Sequence, residues 1–387
     1  MRTMTLPRHL RRSATLVVAL GAAIYAAYPV VAADTIKIGA VLPITSALAA
    51  YGTPFVEAMN MAIEPVNAAG GINGRKIELI VEDAQASNTV AINALNKVLQ
   101  SEPVTVFGAA LGTQVLAMMP ITEREKVPLI ASPGTRRVTQ QGAKYFFRAG
   151  THDAVEKENW TRFLVDDLKK KRIGIIHVSN EWGYSGRDNT TEFLQKLYGL
   201  KPVSIASYQL NDKDYTAQIH QMVQDGVDAI AVQGHPVEEA LIVRQLKQQG
   251  VSVPHVGSGT LCMAYQRDLV SKEEIAGHYC EAPDLLPPLN PRPQVQAFVE
   301  AYKKRTGQTP DIYAVHYYDA MNMLIAVMKK YGVDREKIRD GMKEMSYEGL
   351  IGPYKADEEG NLWHGAMVME FMPDGSAKAI RRYKPSS

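Results

Sequence analysis

The chain has 387 residues, a formal net charge of +2, 46% apolar residues and 22% charged residues. That length allows two or three domains, and that composition supports a sizeable core and excludes global disorder. Four arginines (Arg2, Arg8, Arg11, Arg12) fall within the first 33 residues, where no acid occurs, so the remainder carries −2. A nucleic-acid partner would need a basic face, which this balance argues against.

The first 33 residues read as a cleavable export signal. The basic start leads into the apolar run 14–27, and Val31-Ala32-Ala33 offers a small-residue cleavage site before Asp34. The run is short for a ~20-residue bilayer span and Pro29 follows it, which disfavours a membrane anchor. Arg11-Arg12 leaves both general secretion and twin-arginine export open.

From residue 35 onward, short β-rich runs alternate with amphipathic stretches. Strands are expected over 35–42, 76–82, 104–108, 129–132, 172–178, 228–233 and 255–258. Helices are expected over 54–67, 89–101, 113–126, 156–170, 185–198, 215–225 and 237–249. Such alternation marks βαβ units around parallel sheets. Between the first two strands, Gly70 and Gly71 can stop a helix, Asn73-Gly74 makes a turn, and Ile77, Leu79 and Val81 form a β-rich run closed by Glu82-Asp83. Pro65 is expected to shorten or kink the first helix.

The alternation does not run through one sheet. Around 146–153 the chain leaves the fourth strand unit in extended form, and a second β/α series begins. A proline-rich stretch over 279–289 precedes helical patterns over 293–306, 312–331 and 334–345. After Gly352-Pro353-Tyr354 comes a small β region, with turns at Gly360-Asn361 and Asp374-Gly375. The two cysteines, Cys262 and Cys280, fit either a disulfide or two buried thiols.

Enzyme motifs are missing. No GxSxG elbow, HExxH, P-loop or EF-hand loop occurs, and the histidines show no close ligand spacing. Gly257-Ser-Gly-Thr260 is a short glycine turn, weak as a phosphate loop.

Strand, helix, the string Ala68-Ala-Gly-Gly-Ile-Asn-Gly-Arg-Lys-Ile-Glu-Leu79 and strand together resemble the opening of the periplasmic solute-binding proteins of branched-chain amino-acid type ABC importers, the leucine-binding-protein-like family. The resemblance covers nearly all of the chain after residue 33. It implies an α/β chain of type I periplasmic-binding fold, two Rossmann-like lobes with a three-crossover hinge near 150, 283 and 351. The N-terminal lobe would be 34–150 plus 284–350, and the C-terminal lobe 151–283 plus 351–387. It further implies a binding protein rather than an enzyme, without cofactor or metal. Such a protein works in the periplasm as a monomer and delivers a small solute to ABC permease and ATPase subunits. Amino-acid transport and a ligand-sensing receptor domain are the alternative readings.

In open α/β sheets, ligands sit beyond the carboxyl ends of the strands. The residues there that make the candidate site are Tyr51, Leu111, Gly112, Thr113, Thr135, Arg136, Trp182, Tyr184, His235 and Gly259. The resemblance implies that Thr113 and Thr135 hold a carboxylate beside helix N-termini, and that Tyr51 and Trp182 cover the ligand. It also implies an acid for the ligand ammonium after the seventh strand, but Gly259 stands there, and Gly234 replaces an expected aromatic. Burying an ammonium unpaired costs several kcal/mol, so the expected ligand is a carboxylate without an amino group, an organic or aromatic acid. Glu181 and Glu281 are the acids that could substitute. Arg136 is either a carboxylate clamp or a solvated residue at a helix start.

Overall fold

The structure, a computed structural model, describes residues 35–383 apart from 47, 110, 267 and 364, together with Met1. The expected export signal lies outside the described residues, Met1 aside.

Two parallel sheets organise the chain. The first holds β1 (Ile36–Leu42), β2 (Ile77–Asp83), β3 (Thr105–Phe107), β4 (Leu129–Ala131) and β5 (Phe146–Arg148), in the order β2-β1-β3-β4-β5. Helices α1 (Ala49–Ala68), α2 (Asn88–Leu99) and α3 (Gly112–Arg124) connect its strands. After α4 (Asp153–Arg162), the second sheet begins with β6 (Ile173–Val178), β7 (Ser204–Tyr208), β8 (Ala229–Gln233), β9 (His255–Gly257) and β10 (Tyr279–Ala282). These run β7-β6-β8-β9-β10, the same order as in the first sheet. Helices α5 (Glu181–Tyr198), α6 (Thr216–Gln224), α7 (Pro236–Gln248), α8 (Gly259–Gln266) and α9 (Lys272–Ile275) accompany it. Central strands such as β6 and β8 are buried along their whole length, as parallel strands covered on both faces require.

The chain then returns to the first sheet with α10 (Pro293–Thr306), α11 (Ile312–Tyr331) and α12 (Arg335–Glu344). Helix α11 lies on α1, where Phe55 and Tyr317 stack with ring centroids 4.3 Å apart. Arg305 of α10 bridges Glu57 and Glu64 of α1. A hairpin of β11 (Tyr347–Glu348) and β12 (Pro353–Tyr354) follows, and the antiparallel pair β13 (Met367–Phe371) and β14 (Ala377–Arg382) extends the second sheet beyond β10. Among the described residues no helix is long and apolar enough to cross a membrane.

Several details differ from the sequence expectation. The segment expected to join the second lobe after residue 351 stays with the first sheet: Asn361 bridges to Arg148, and Leu362 and Trp363 sit in that core. Strand β7 was not expected. It is an edge strand of alternating burial, built from Ser204-Ile-Ala-Ser-Tyr208, with too little β-branched content to show. Strand β10 was hidden by the prolines that follow it. Helix α1 runs through Pro65 to Ala68: the proline costs the one bond its missing N–H would make, and its carbonyl still accepts from Ala69 N at 3.1 Å. Asn67 then pairs both its amide groups with the backbone of Ile77, tying helix end to strand start at 2.7 and 2.8 Å. Cys262 and Cys280 form a disulfide joining α8 to β10, with Cα atoms 5.6 Å apart.

Candidate functional site

In both sheets the strand order reverses at the first strand, so the loops at the carboxyl ends diverge there and open a crevice. The two crevices face each other across a cavity of about 50 Å³. A water needs ~10–15 Å³, so the space suits a few waters or one small ligand. Tyr51, Phe55, Leu111, Gly112, Ser132, Gly134 and Thr151 line it from one side, and Glu156, Trp182, His235 and Thr260 from the other, with Tyr313 reaching in from α11.

The first-lobe wall is neutral. Leu111 occupies the N-cap of α3 and no side chain caps that helix. No N-cap side chain takes up its first-turn N–H groups, and Gly112, the first residue of that turn, lines the cavity. The loop after β4 is held from behind by Arg148, which is fully buried. Its guanidinium donates to Asn361 Oδ1 at 2.8 Å, Thr135 O at 3.0 Å, Thr139 Oγ1 at 3.3 Å and Pro133 O. Burial lowers its pKa to about 10, against the pull of Asp153 and other acids, so it remains charged at neutral pH.

The second-lobe wall is ionisable. His235 occupies the N-cap position of α7 and its ring spans the cleft: Asn180 Nδ2 donates to His235 Nε2 at 3.3 Å, so Nδ1–H donates to the Tyr51 hydroxyl at 3.1 Å. Burial pushes the His235 pKa down to about 4, which keeps the ring neutral. Trp182 lies against His235, centroids 4.9 Å apart, and its Nε1 donates to Asp153 Oδ1 at 3.2 Å. A Cβ on Gly134 would come within 2.5 Å of that nitrogen, so only glycine lets the loop close over the indole.

Beneath Trp182 lies a buried charge cluster on α4 and β10. Lys157 Nζ sits 2.5 Å from Glu281 Oε2 and 3.5 Å from Glu156 Oε2, and 4.0 Å from the Trp160 ring centroid. Burial pushes the Glu156 carboxyl up to about 7, with Lys157 opposing and Asp153 adding to the rise. Asp153 and Glu281 are raised for the same first reason. Further back, Glu239 Oε1 accepts from Gly234 N at 3.2 Å, Ser258 N at 3.0 Å and Ser258 Oγ at 2.9 Å. One buried carboxylate thus cross-braces the two loops that present His235 and Thr260. Burial pushes it up to about 8 despite those bonds.

Five of the sequence-predicted residues meet at the cavity: Tyr51, Leu111, Gly112, Trp182 and His235. Thr135 is buried behind the wall and donates to Glu181 at 3.3 Å. Thr113 sits one residue into α3 and is not part of the lining. Gly259 also lies behind the lining, where a Cβ would collide with the Tyr313 hydroxyl. Arg136 and Tyr184 lie in an outer groove with Arg187 and Glu192. There Arg136 Nη1 stands 4.0 Å from Glu192, and Tyr184 is 40% exposed. Arg136 therefore does not face the cavity as a carboxylate clamp. Of the two acids that the sequence left available to substitute for one at 259, Glu181 pairs with Arg137 at the rim and Glu281 with Lys157 in the cluster.

Glu156, Phe55, Thr151 and Tyr313 are lining residues that sequence reasoning missed. The sequence pattern starts this helix at 156, but α4 begins at Asp153 and buries Asp153, Glu156 and Glu158. Tyr313 comes from a helix after the second crossing, which no strand-end rule reaches. Among the described residues no group of three or more His, Cys, Asp or Glu could hold a metal ion.

The sequence profile of a family described as periplasmic binding protein matches residues 35–376, nearly the whole chain. The chain belongs to the periplasmic binding protein family. This periplasmic binding protein is similar to a leucine-, isoleucine-, valine-, threonine- and alanine-binding protein of Pseudomonas aeruginosa, 27% identical over 359 residues, covering 91% of this chain and 93% of that one. A branched-chain amino acid transporter substrate binding protein of Streptococcus pneumoniae, in complex with isoleucine, superposes with a TM-score of 0.80 at 23% identity over 90% of this chain and 99% of that one. An ABC transporter solute-binding protein of R. palustris, in complex with benzoate, gives 0.82 at 18% identity over 91% of this chain and 97% of that one. Both likenesses show the fold: type I, with two Rossmann-like lobes. Family members are solute-binding proteins.

Proposed function

We propose that this periplasmic binding protein captures a small carboxylate solute, an organic or aromatic acid, and delivers it to the permease and ATPase subunits of an ABC importer after export to the periplasm. The observation that carries this reading is the pairing of an uncapped α3 N-terminus with an apolar wall of Tyr51, Phe55, Leu111 and Trp182 in one cavity. A helix N-terminus favours an anion, and the rings favour a flat or branched apolar body. At position 259, where the family resemblance calls for a carboxylate to hold an ammonium, the side-chain space belongs to the Tyr313 hydroxyl. Fold neighbours span both chemistries, and the benzoate complex shows that this fold accommodates an acid without an amino group.

The lobes divide, on this reading, where the chain changes sheets: after β5, after β10, and between Trp363 and β13. Apo protein favours an open cleft, and ligand contacts from both lobes shift the population to the closed form. A thermal-shift screen on protein from Asp34 onward tests the proposal. The panels are benzoate, phenylacetate and 3-methylbutanoate against phenylalanine, leucine and valine. Ligand at ~100 times its dissociation constant adds ~2.7 kcal/mol, a shift of several degrees. Stabilisation by the acids is expected; stabilisation by the amino acids alone would refute the ligand class.

A further inference from the structure

A carboxylate entering this cavity meets a wall that already carries a carboxylate. Glu156 is a lining residue, only 5% exposed. The groups behind it are Asp153 and Lys157 on its own helix, Glu281 on β10 and Arg148 on β5, with Glu239 on α7 acting on Lys157 from further off. Around the cavity the other titratable side chains are Tyr51, His235 and Tyr313, and His235 is neutral. Asp153, Glu156 and Glu281 thus face one ammonium, Lys157, whose shorter contact goes to Glu281. The hydrogen bonds of the Arg148 guanidinium go to neutral acceptors. The site is short of positive charge before any ligand arrives, and Glu156, which takes only the longer of the two Lys157 contacts, is the one of these acids that lines the cavity.

Two carboxylates confined together away from water do not both stay ionised. Glu156 lines the same cavity, of about 50 Å³, that the ligand enters. We infer that Glu156 is a specificity-determining residue that takes up a proton from solvent as a carboxylate ligand enters and donates it to that ligand in a hydrogen bond. The inference rests on the carboxylate reading above and says what the ionisable wall contributes to it. Burial already pushes Glu156 up to about 7, so the uptake is partial at pH 7 and approaches one proton at pH 8. Between those values affinity for a carboxylate falls, approaching tenfold per pH unit. An ammonium-bearing ligand would do the reverse: it would favour ionised Glu156, release a proton and bind better as pH rises.

The test is isothermal titration of benzoate and 3-methylbutanoate into mature protein at pH 6, 7 and 8, in phosphate and in Tris. The buffers differ in ionisation enthalpy and so report protons exchanged. E156Q, whose fold is checked by its melting curve, and E156A are titrated alongside. The expected result is uptake rising toward one proton at pH 8 in the wild type, with affinity falling over the same range. E156Q, a neutral donor of the same shape, should bind at all three pH values without uptake, and E156A should bind more weakly and also without uptake. Binding of the acids with no proton uptake, or with uptake that survives in E156Q, would overturn the inference and leave the carboxylate reading standing. Binding of leucine or phenylalanine in place of the acids would overturn both.

Discussion

The two walls of the cavity come from sheets whose five parallel strands follow the same order, yet they offer different chemistry. The first-lobe wall is made of backbone donors and apolar side chains, with its one charge, Arg148, buried behind the loop that it braces. The second-lobe wall is made of neutral His235, an indole, and a buried cluster with more acids than bases. Topology brings both sets of loops to the crevice, and loop residues decide what each crevice does. On the carboxylate reading proposed above, the first wall receives the acid and the second discriminates, because buried charge responds steeply to the charge of what it meets.

The comparison breaks most visibly at Arg148. Arg148→Ala leaves the carbonyls of Pro133 and Thr135 buried without their donor, and should destabilise the fold by about 3 kcal/mol or more. Denaturant unfolding measures this, and Arg148→Lys should recover part of the loss. A loss below ~1 kcal/mol would mean that the loop holds itself. On the other wall, Trp182→Ala removes the ring against His235 and the bond to Asp153. It should weaken ligand binding by about 2 kcal/mol, roughly 30-fold. Unchanged affinity would take Trp182 out of the site.

Glu239 sharpens the contrast through pH. Its carboxyl is raised from 4.5 to about 8, so folded protein binds more protons than unfolded protein between those values. Stability must therefore fall as pH rises through that window. Glu239→Gln removes this component. The wild type should lose on the order of 2 kcal/mol relative to the variant between pH 5 and 8. The similar falls from Glu156 and Asp319, both raised by burial to about 7, cancel in the difference. A flat difference curve would show that Glu239 is ionised in the fold. The smallest effect is expected at Arg136. Arg136→Ala breaks only a rim contact with Glu192 and should change affinity by less than ~0.5 kcal/mol, equally for carboxylates and neutral analogues.

These residues also show what could be read before the structure. The βαβ alternation, the change of sheet near residue 150 and the loops carrying Tyr51, Gly112, Trp182 and His235 follow from local pattern and the strand-end rule, whereas β5, read as an extended exit from the fourth strand unit, is a fifth strand of the first sheet. Arg136 misled because a charge beside a promising loop says nothing about which way it faces; the 3-10 turn Arg136–Gln141 carries it to the rim. Arg148 was hidden by its apolar neighbours Phe146 and Phe147, and Glu156 by a helix start read three residues late. The contact between Tyr313 and position 259 joins segments 54 residues apart and is a property of the assembled fold alone.

The most direct test of the central claim is a crystal structure with the acid that stabilises the protein most in the thermal screen. The ligand carboxylate should accept from the backbone N–H groups at the start of α3, Gly112 first, with its apolar body against Trp182 and Tyr51 and one oxygen facing Glu156. A carboxylate bound elsewhere, or a ligand ammonium seated on Glu156, would contradict the account.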